Sequence, residues 1–202
     1  SNALKLSKKN NFIYGFHPGY LRDSIAQDGY FNFLNETRMP RKTGHDKFIR
    51  NFSILLKKNK ENFIAIENLF PNPDSSNDSL MCNYPEIDKI FSSSKLKKYK
   101  FGLILDLGHL QISSNLLKFD KNACLNRIIS KYGHRIYQVH ISENNCISDS
   151  HSRIKKNSWQ LKMLKKFKNT GSDLGGTKFT LETRDLTLSQ IKNDINLISK
   201  YL

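Results

Sequence analysis

The chain has 202 residues, of which 33 are Lys or Arg and 18 are Asp or Glu, giving a formal net charge of +15. At 38% apolar and 11% aromatic residues it is too apolar for a disordered chain, and it is long enough to bury one core or two small ones. It has no apolar run near the roughly 20 residues a bilayer span needs and no secretory leader pattern. Its three scattered cysteines (Cys82, Cys124, Cys146) suit neither a disulfide framework nor a zinc ribbon, so a reducing cytoplasm is expected.

Ser1-Asn2-Ala3 reads as a tag scar and is set aside. Leu4 follows with no Met, so the stretch is expected to begin inside a longer natural chain, with 4–202 forming a single domain. The first expected strand, Phe12–Phe16, runs into His17-Pro18-Gly19. Asp28–Gly44 lacks a clean period and mixes aromatics with Arg38, Arg41 and Lys42; it reads as a lid or as a long connection. Asp46–Lys58 then predicts a helix with Phe48, Ile49, Phe52, Leu55 and Leu56 on one stripe.

A second strand, Phe63–Ile66, runs into Glu67-Asn68, followed by a loop of turn formers over Pro71–Leu80. The third, Phe101–Leu105, runs into Asp106-Leu107-Gly108-His109, with Asp106 at the strand end and His109 on the next turn. A helix is predicted over Ala123–Tyr132, then a fourth strand, Ile136–Val139, running into His140. Asp149-Ser150-His151 lies in the connection after it, where residues two apart in an extended segment point the same way. A helix over Ser158–Phe167, a fifth strand, Phe179–Leu181, running into Glu182, and a helix over Leu188–Leu202 complete the chain.

Strands that are continuous apolar runs suit a parallel sheet buried on both faces, and the alternation with helices is the βα rhythm of an α/β fold. All five strands end in a His, Asp or Glu. In a parallel barrel such tips converge on one mouth, and mixed carboxylate and imidazole donors suit a divalent Zn, Mn or Fe ion. Any one of these residues is more often a helix cap or a surface group. The recurrence at five strand ends of five is what points to a metal or acid/base site. His45 and His134 lack that context and read as surface or loop histidines, and the cysteines as small buried or half-buried residues.

The ordered motifs HPG, EN, DLGH, VH, DSH and LET resemble those of the xylose isomerase-like TIM barrels, the superfamily that includes endonuclease IV, over roughly Phe12 to Leu202. The resemblance implies a (β/α)8-type fold binding one to three divalent metals at the C-terminal mouth. It implies Glu67, Asp106, His140 and Glu182 as core ligands, and His17, His109, Asp149 and His151 as ligands of multinuclear branches. Three branches compete. The sugar and sugar-phosphate isomerases and epimerases are the most populated, and would use Glu67 and Glu182 as acid/base groups. The endonuclease IV branch is similar in HPG, DxxH and DxH. The multinuclear non-haem iron oxidases that modify peptides are similar in Trp159 and in Glu182-Thr183-Arg184-Asp185. The Gly-x-Gly that usually follows DxH in the first two is replaced by Arg153–Asn157, which favours the third. A degenerate, non-catalytic barrel fragment is the remaining alternative.

A closed barrel needs eight strands and about 250 residues. Five strands therefore imply an incomplete barrel whose first strands are missing, and a homodimer through the open sheet edge is expected. A small molecule is the expected substrate, with Arg38 and Arg41 as candidates for holding its phosphate or carboxylate, or else forming a solvated face. Nucleic acid is the alternative partner raised by the charge, although Lys and Asn are enriched throughout the chain. No membrane partner is expected.

Overall fold

A computed structural model describes residues 2–27, 30–34, 37–72, 77–167, 170 and 175–202. Residues 28, 29, 35 and 36 of the first expected loop and 73–76 of the second lie outside the described residues. The chain forms two compact units, Ser1–Phe101 and Gly102–Leu202. Among the described residues no helix is long and apolar enough to cross a membrane.

The first unit opens with helix α1 (Asn2–Asn10), which includes part of the stretch set aside as a scar, and strand β1 (Ile13–Phe16). Strands β2 (Ser24–Gln27) and β3 (Tyr30–Phe33) pair antiparallel, and β3 falls within the Asp28–Gly44 stretch expected as a lid or plain connection. Helix α2 (Arg41–Lys58) starts five residues before the expected Asp46. It buries Gly44, His45, Phe48, Ile49, Phe52 and Leu56, the i, i+3/i+4 stripe of an amphipathic helix. Strand β4 (Phe63–Glu67) is buried from Ile64 onward and pairs in parallel with β1, setting Phe16 opposite Ile66. Between them Phe16, Phe48, Phe52, Phe91 and Phe101 form a chain of ring contacts with centroids 4.9–6.4 Å apart. Helix α3 (Tyr84–Phe91) follows, capped by the Asn83 side chain, which accepts from the Glu86 amide.

The second unit is a parallel three-stranded arrangement. Strands β5 (Gly102–Asp106), β6 (Ile136–Ile141) and β7 (Lys178–Leu181) pair in that order. Between the first two run helices α4 (Leu107–Leu117) and α5 (Lys121–Tyr132), and between the last two helix α6 (Trp159–Leu164) with a 3-10 turn over Lys165–Phe167. Helix α7 (Leu188–Ser199) closes the unit behind a Thr187/Gln190 capping box. Every residue of β5 is buried, as a strand covered on both faces requires. The register sets Asp106 beside His140 and Ile141 beside Leu181. The α/β class with five parallel-paired strands is thus the one expected from the sequence.

Candidate metal centre

In the second unit three strand tips bring their polar residues together. Asp106 is the last residue of β5 and also the N-cap of α4. Its Oδ1 accepts the His109 amide at 2.6 Å, while its Oδ2 lies 3.9 Å from His140 Nδ1 and 4.0 Å from His109 Nε2. His140, in β6, lies with Nδ1 3.0 Å from Glu182 Oε2. Glu182 directly follows β7, and its amide donates to Ile141 O at 3.0 Å, prolonging the β6–β7 ladder past the strand end. Asp106, His140 and Glu182 each offer a donor atom within 4.8 Å of the others. The spacing follows from the parallel register.

A second donor group adjoins the first. His109 Nε2 lies 3.4 Å and His151 Nε2 2.7 Å from Asp149 Oδ2. The reading that Asp149 and His151 face one point is met, although His151 does so with a left-handed backbone (φ 45°) rather than an extended one. Two contacts hold that conformation: the Arg184 amide donates to His151 O at 3.1 Å, and His151 Nδ1 sits 2.6 Å from Glu182 O. The connection is further pinned by an antiparallel bridge between Glu143 and Ser152, and by Arg153 Nε, 2.9 Å from the buried Asp194.

Asp149 and His151 stabilise one another's charged forms. Burial pushes the Asp149 carboxyl up, but hydrogen bonds and charge from His109 and His151 outweigh it and hold the carboxyl well below the usual range. His151 is raised, first by its hydrogen bond to Asp149, against the opposing effect of burial. A neutral His151 that donates through Nδ1 to Glu182 O presents a lone pair at Nε2, toward the carboxylate of Asp149. That pairing is favourable only if the imidazole is doubly protonated or a cation lies between the two. Asp149 Oδ1 is buried and, among the described residues, has no hydrogen-bond partner, which is compatible with a metal-ligating role. The donor set of carboxylates and imidazoles therefore fits a divalent transition metal.

The first unit holds two of the expected ligands. Glu67 is the last residue of β4, and its Oε2 lies 3.4 Å from Nε2 of His17, which follows β1. The Tyr20 phenol nearby is pushed up by burial, then by Cys82 and Glu67. Arg38 and Arg41 are both engaged within this unit. Arg38 Nε lies 2.5 Å from Asp78 and its Nη2 2.9 Å from Asn77 O, while Arg41 reaches Glu86 at 2.6 Å, Ser79 O at 3.0 Å and Asn77 O. His45, expected at the surface, is instead 2% exposed, with Nε2 3.9 Å from Glu86. The early start of α2 puts it on the helix's inner face. His134 is exposed, Cys82 and Cys124 are buried and Cys146 is half-buried, as read from the sequence.

Two supporting residues escaped the sequence reading. Glu143 is buried just past β6, and Gln160 is fully buried in the first turn of α6, where its side-chain amide grips both backbone groups of Ser142. Glu143 extends the tip pattern by one further carboxylate, whereas Gln160 carried no signal at all.

The sequence matches no protein-family model and no curated protein. Its structure is similar to the crystal structure of a "Putative Xylose isomerase" from Rhodospirillum rubrum ATCC 11170, with a TM-score of 0.63 over 98% of this chain at 15% identity. The fold is that of the xylose isomerase-like TIM barrels. This chain spans 64% of the length of that protein, and the described residues hold five parallel-paired strands against the eight of a closed barrel.

Proposed function

We propose that the protein is a divalent-metal-dependent enzyme of the sugar or sugar-phosphate isomerase and epimerase kind. The observation that supports this is the convergence of Asp106, His140 and Glu182 within 4.8 Å at the tips of paired strands. These three would hold the ion. A bound Zn, Mn or Fe ion would polarise the hydroxy-carbonyl unit of a small substrate. Glu182, whose side chain is 38% exposed against 10% or less for Asp106 and His140, is the carboxylate a substrate can reach. It is assigned to carry the proton.

Elemental analysis of fresh protein and calorimetric titration with Zn, Mn, Fe and Co test the reading. At least one ion per chain is expected, and its binding should weaken by two orders of magnitude or more in Asp106→Ala and His140→Ala (on the order of a lost ligand rather than an outer partner). A preparation with no metal and no binding on addition would defeat it. Interconversion of aldose and ketose substrates, lost in Glu182→Gln, tests the reaction class.

The adjoining His109, Asp149 and His151 favour a second reading, in which two or three ions serve phosphodiester hydrolysis or peptide oxidation. The ion count separates the two, one per chain supporting isomerase chemistry. The single-sided pairing of β1 and β7 is proposed to be completed by a second copy, and gel filtration showing only monomer would remove that proposal.

A further inference from the structure

At the end of the first unit away from Glu67, two grooves of about 460 and 470 Å³ share the side chains of Lys57 and Lys60. The first runs between α1 and the segment leading into β4 and is walled by Lys5, Lys8, Lys58 and Glu61; the second adds Lys98, Tyr99 and Lys100. Seven lysines therefore line these two adjoining grooves, against a single acid. That acid, Glu61, is engaged by Lys8 at 2.5 Å, and among the described residues no ion pair involves Lys57, Lys58, Lys60 or Lys100.

The walls are built rather than incidental. The Asn62 side chain donates to Leu4 O at 2.8 Å and to Ser7 Oγ at 3.0 Å, fixing α1 against the start of β4. The Phe12 amide donates to Ser7 O at 2.9 Å, fixing the turn out of the helix. Lys57 and Lys58 sit in the last turn of α2 and Lys8 in that of α1, where the helix dipole favours cations, and Lys98 Nζ lies 5.3 Å from the centre of the Tyr99 ring, so four of the seven have a structural reason to be there. Lys5, Lys60 and Lys100 do not.

The basic groups near the strand tips of this unit behave differently. Arg22 and Arg38 both pair with the buried Asp78, and Arg41 pairs with Glu86. Their charge is matched by carboxylates inside the fold, while the charge at the opposite end is left to solvent. The geometry points to this lysine groove as a docking surface for the phosphodiester backbone of a nucleic acid. The grooves are concave, so a strand can lie between lysines on both walls, with the half-buried Tyr99 in the lining beside Lys98. Their two leucines, Leu4 and Leu56, are buried, which leaves no exposed aliphatic side chain in the lining to enter a lipid bilayer. Five residues of β4 at about 3.3 Å each separate the groove from Glu67, so a strand bound there is held away from the strand tips and is a tether rather than a substrate.

Fluorescence anisotropy with a labelled single-stranded oligonucleotide of about 20 nucleotides tests the proposal on the full chain across a salt series. Changing Lys57, Lys60, Lys98 and Lys100 to Gln is expected to weaken binding at low salt at least about tenfold. It should also lower the slope of log K against log salt by about 3, from four contacts at roughly 0.7 each. Lysines are abundant everywhere in the chain, so the control changes Lys156, Lys162, Lys192 and Lys200 to Gln and should leave affinity and slope near wild type. Equal loss in both variants, no binding by the wild type, or retention by the groove variant overturns the proposal. Tighter binding to phosphatidylserine vesicles than to the oligonucleotide, lost in the groove variant, overturns it in favour of a membrane surface. Metal content is independent of every one of these outcomes.

Discussion

Replacing Gln160 with Met tests whether the tip of β6 is held from behind by a side chain. Gln160 and Ser142 are both fully buried. The Ser142 amide donates to Gln160 Oε1 at 3.2 Å, and Gln160 Nε2 donates back to Ser142 O, so one side chain satisfies both backbone groups of a residue just beyond the strand. Met has nearly the same volume, which limits any cavity effect, but it can neither accept nor donate as the amide does. Each buried backbone group left without a partner costs about 1–3 kcal/mol, so the pair gives about 2–6 kcal/mol. With a urea slope of about 2 kcal/mol/M, the unfolding midpoint should fall by about 1–3 M, followed by circular dichroism. Because Ser142 lies two residues past His140, cation affinity should drop on the order of tenfold as the imidazole loses its fixed position. A midpoint within about 0.3 M of wild type would refute the reasoning, since it would mean the Ser142 groups find other partners at no cost.

Three further outcomes follow from single positions. A Cβ at Gly102 would fall on the buried ring of Tyr137 in the neighbouring strand, so Gly102→Ala should destabilise by about 1–3 kcal/mol, a penalty that shrinks when Tyr137 is shortened to Leu in the same chain. Ser142 Oγ is buried and, among the described residues, without a hydrogen-bond partner, so Ser142→Ala should be neutral or raise stability by up to about 1 kcal/mol in the same urea assay; a clear loss would reveal a partner for the hydroxyl. Glu86 is raised by burial, but His45, Arg41 and the Cys82 amide outweigh this and bring it below its usual 4.5. A depressed folded value means its contribution is present above pH 4.5 and is lost as pH falls through the folded value. Urea midpoints should therefore drop below that pH in the wild type and less so in Glu86→Gln, and equal pH profiles would contradict the assignment.

The five parallel-paired strands were legible because burial on both faces writes itself as an unbroken apolar run, as in the fully buried β5. Helix α4 was not, and the reason is the same burial. Leu107–Leu117 packs several faces into the interior, so its apolar residues show no amphipathic period, and it follows Asp106 with no connecting loop. Helix α3 did carry signals, with Asn83 as cap, Pro85 in the first turn and Glu86 three residues after the cap, but it is only eight residues long. The pairing of β2 with β3 was hidden because Ser24–Gln27 holds a single β-branched residue, Ile25, and no aromatic one. Arg38 and Arg41 show a different limit. A loop arginine looks the same in sequence whether it serves a ligand or a buried carboxylate, and Asp78 and Glu86 lie 40 and 45 positions away along the chain.

Asp106 carries the sharpest lesson about reading strand-end carboxylates. Helix cap and metal ligand stand as competing explanations when only the sequence is in view. In the fold they are compatible, because a carboxylate has two oxygens. Oδ1 accepts the His109 amide and ends the strand by starting a helix, while Oδ2 turns toward His140 and His109. The capping bond fixes the torsion that aims the second oxygen, and the same turn of helix carries His109 into reach of Asp149. A strand that passes directly into a helix through a capping Asp thereby orients two donors with one residue, without loop residues between them. That economy explains why DxxH is a compact motif and why its spacing, rather than either residue alone, is the informative part.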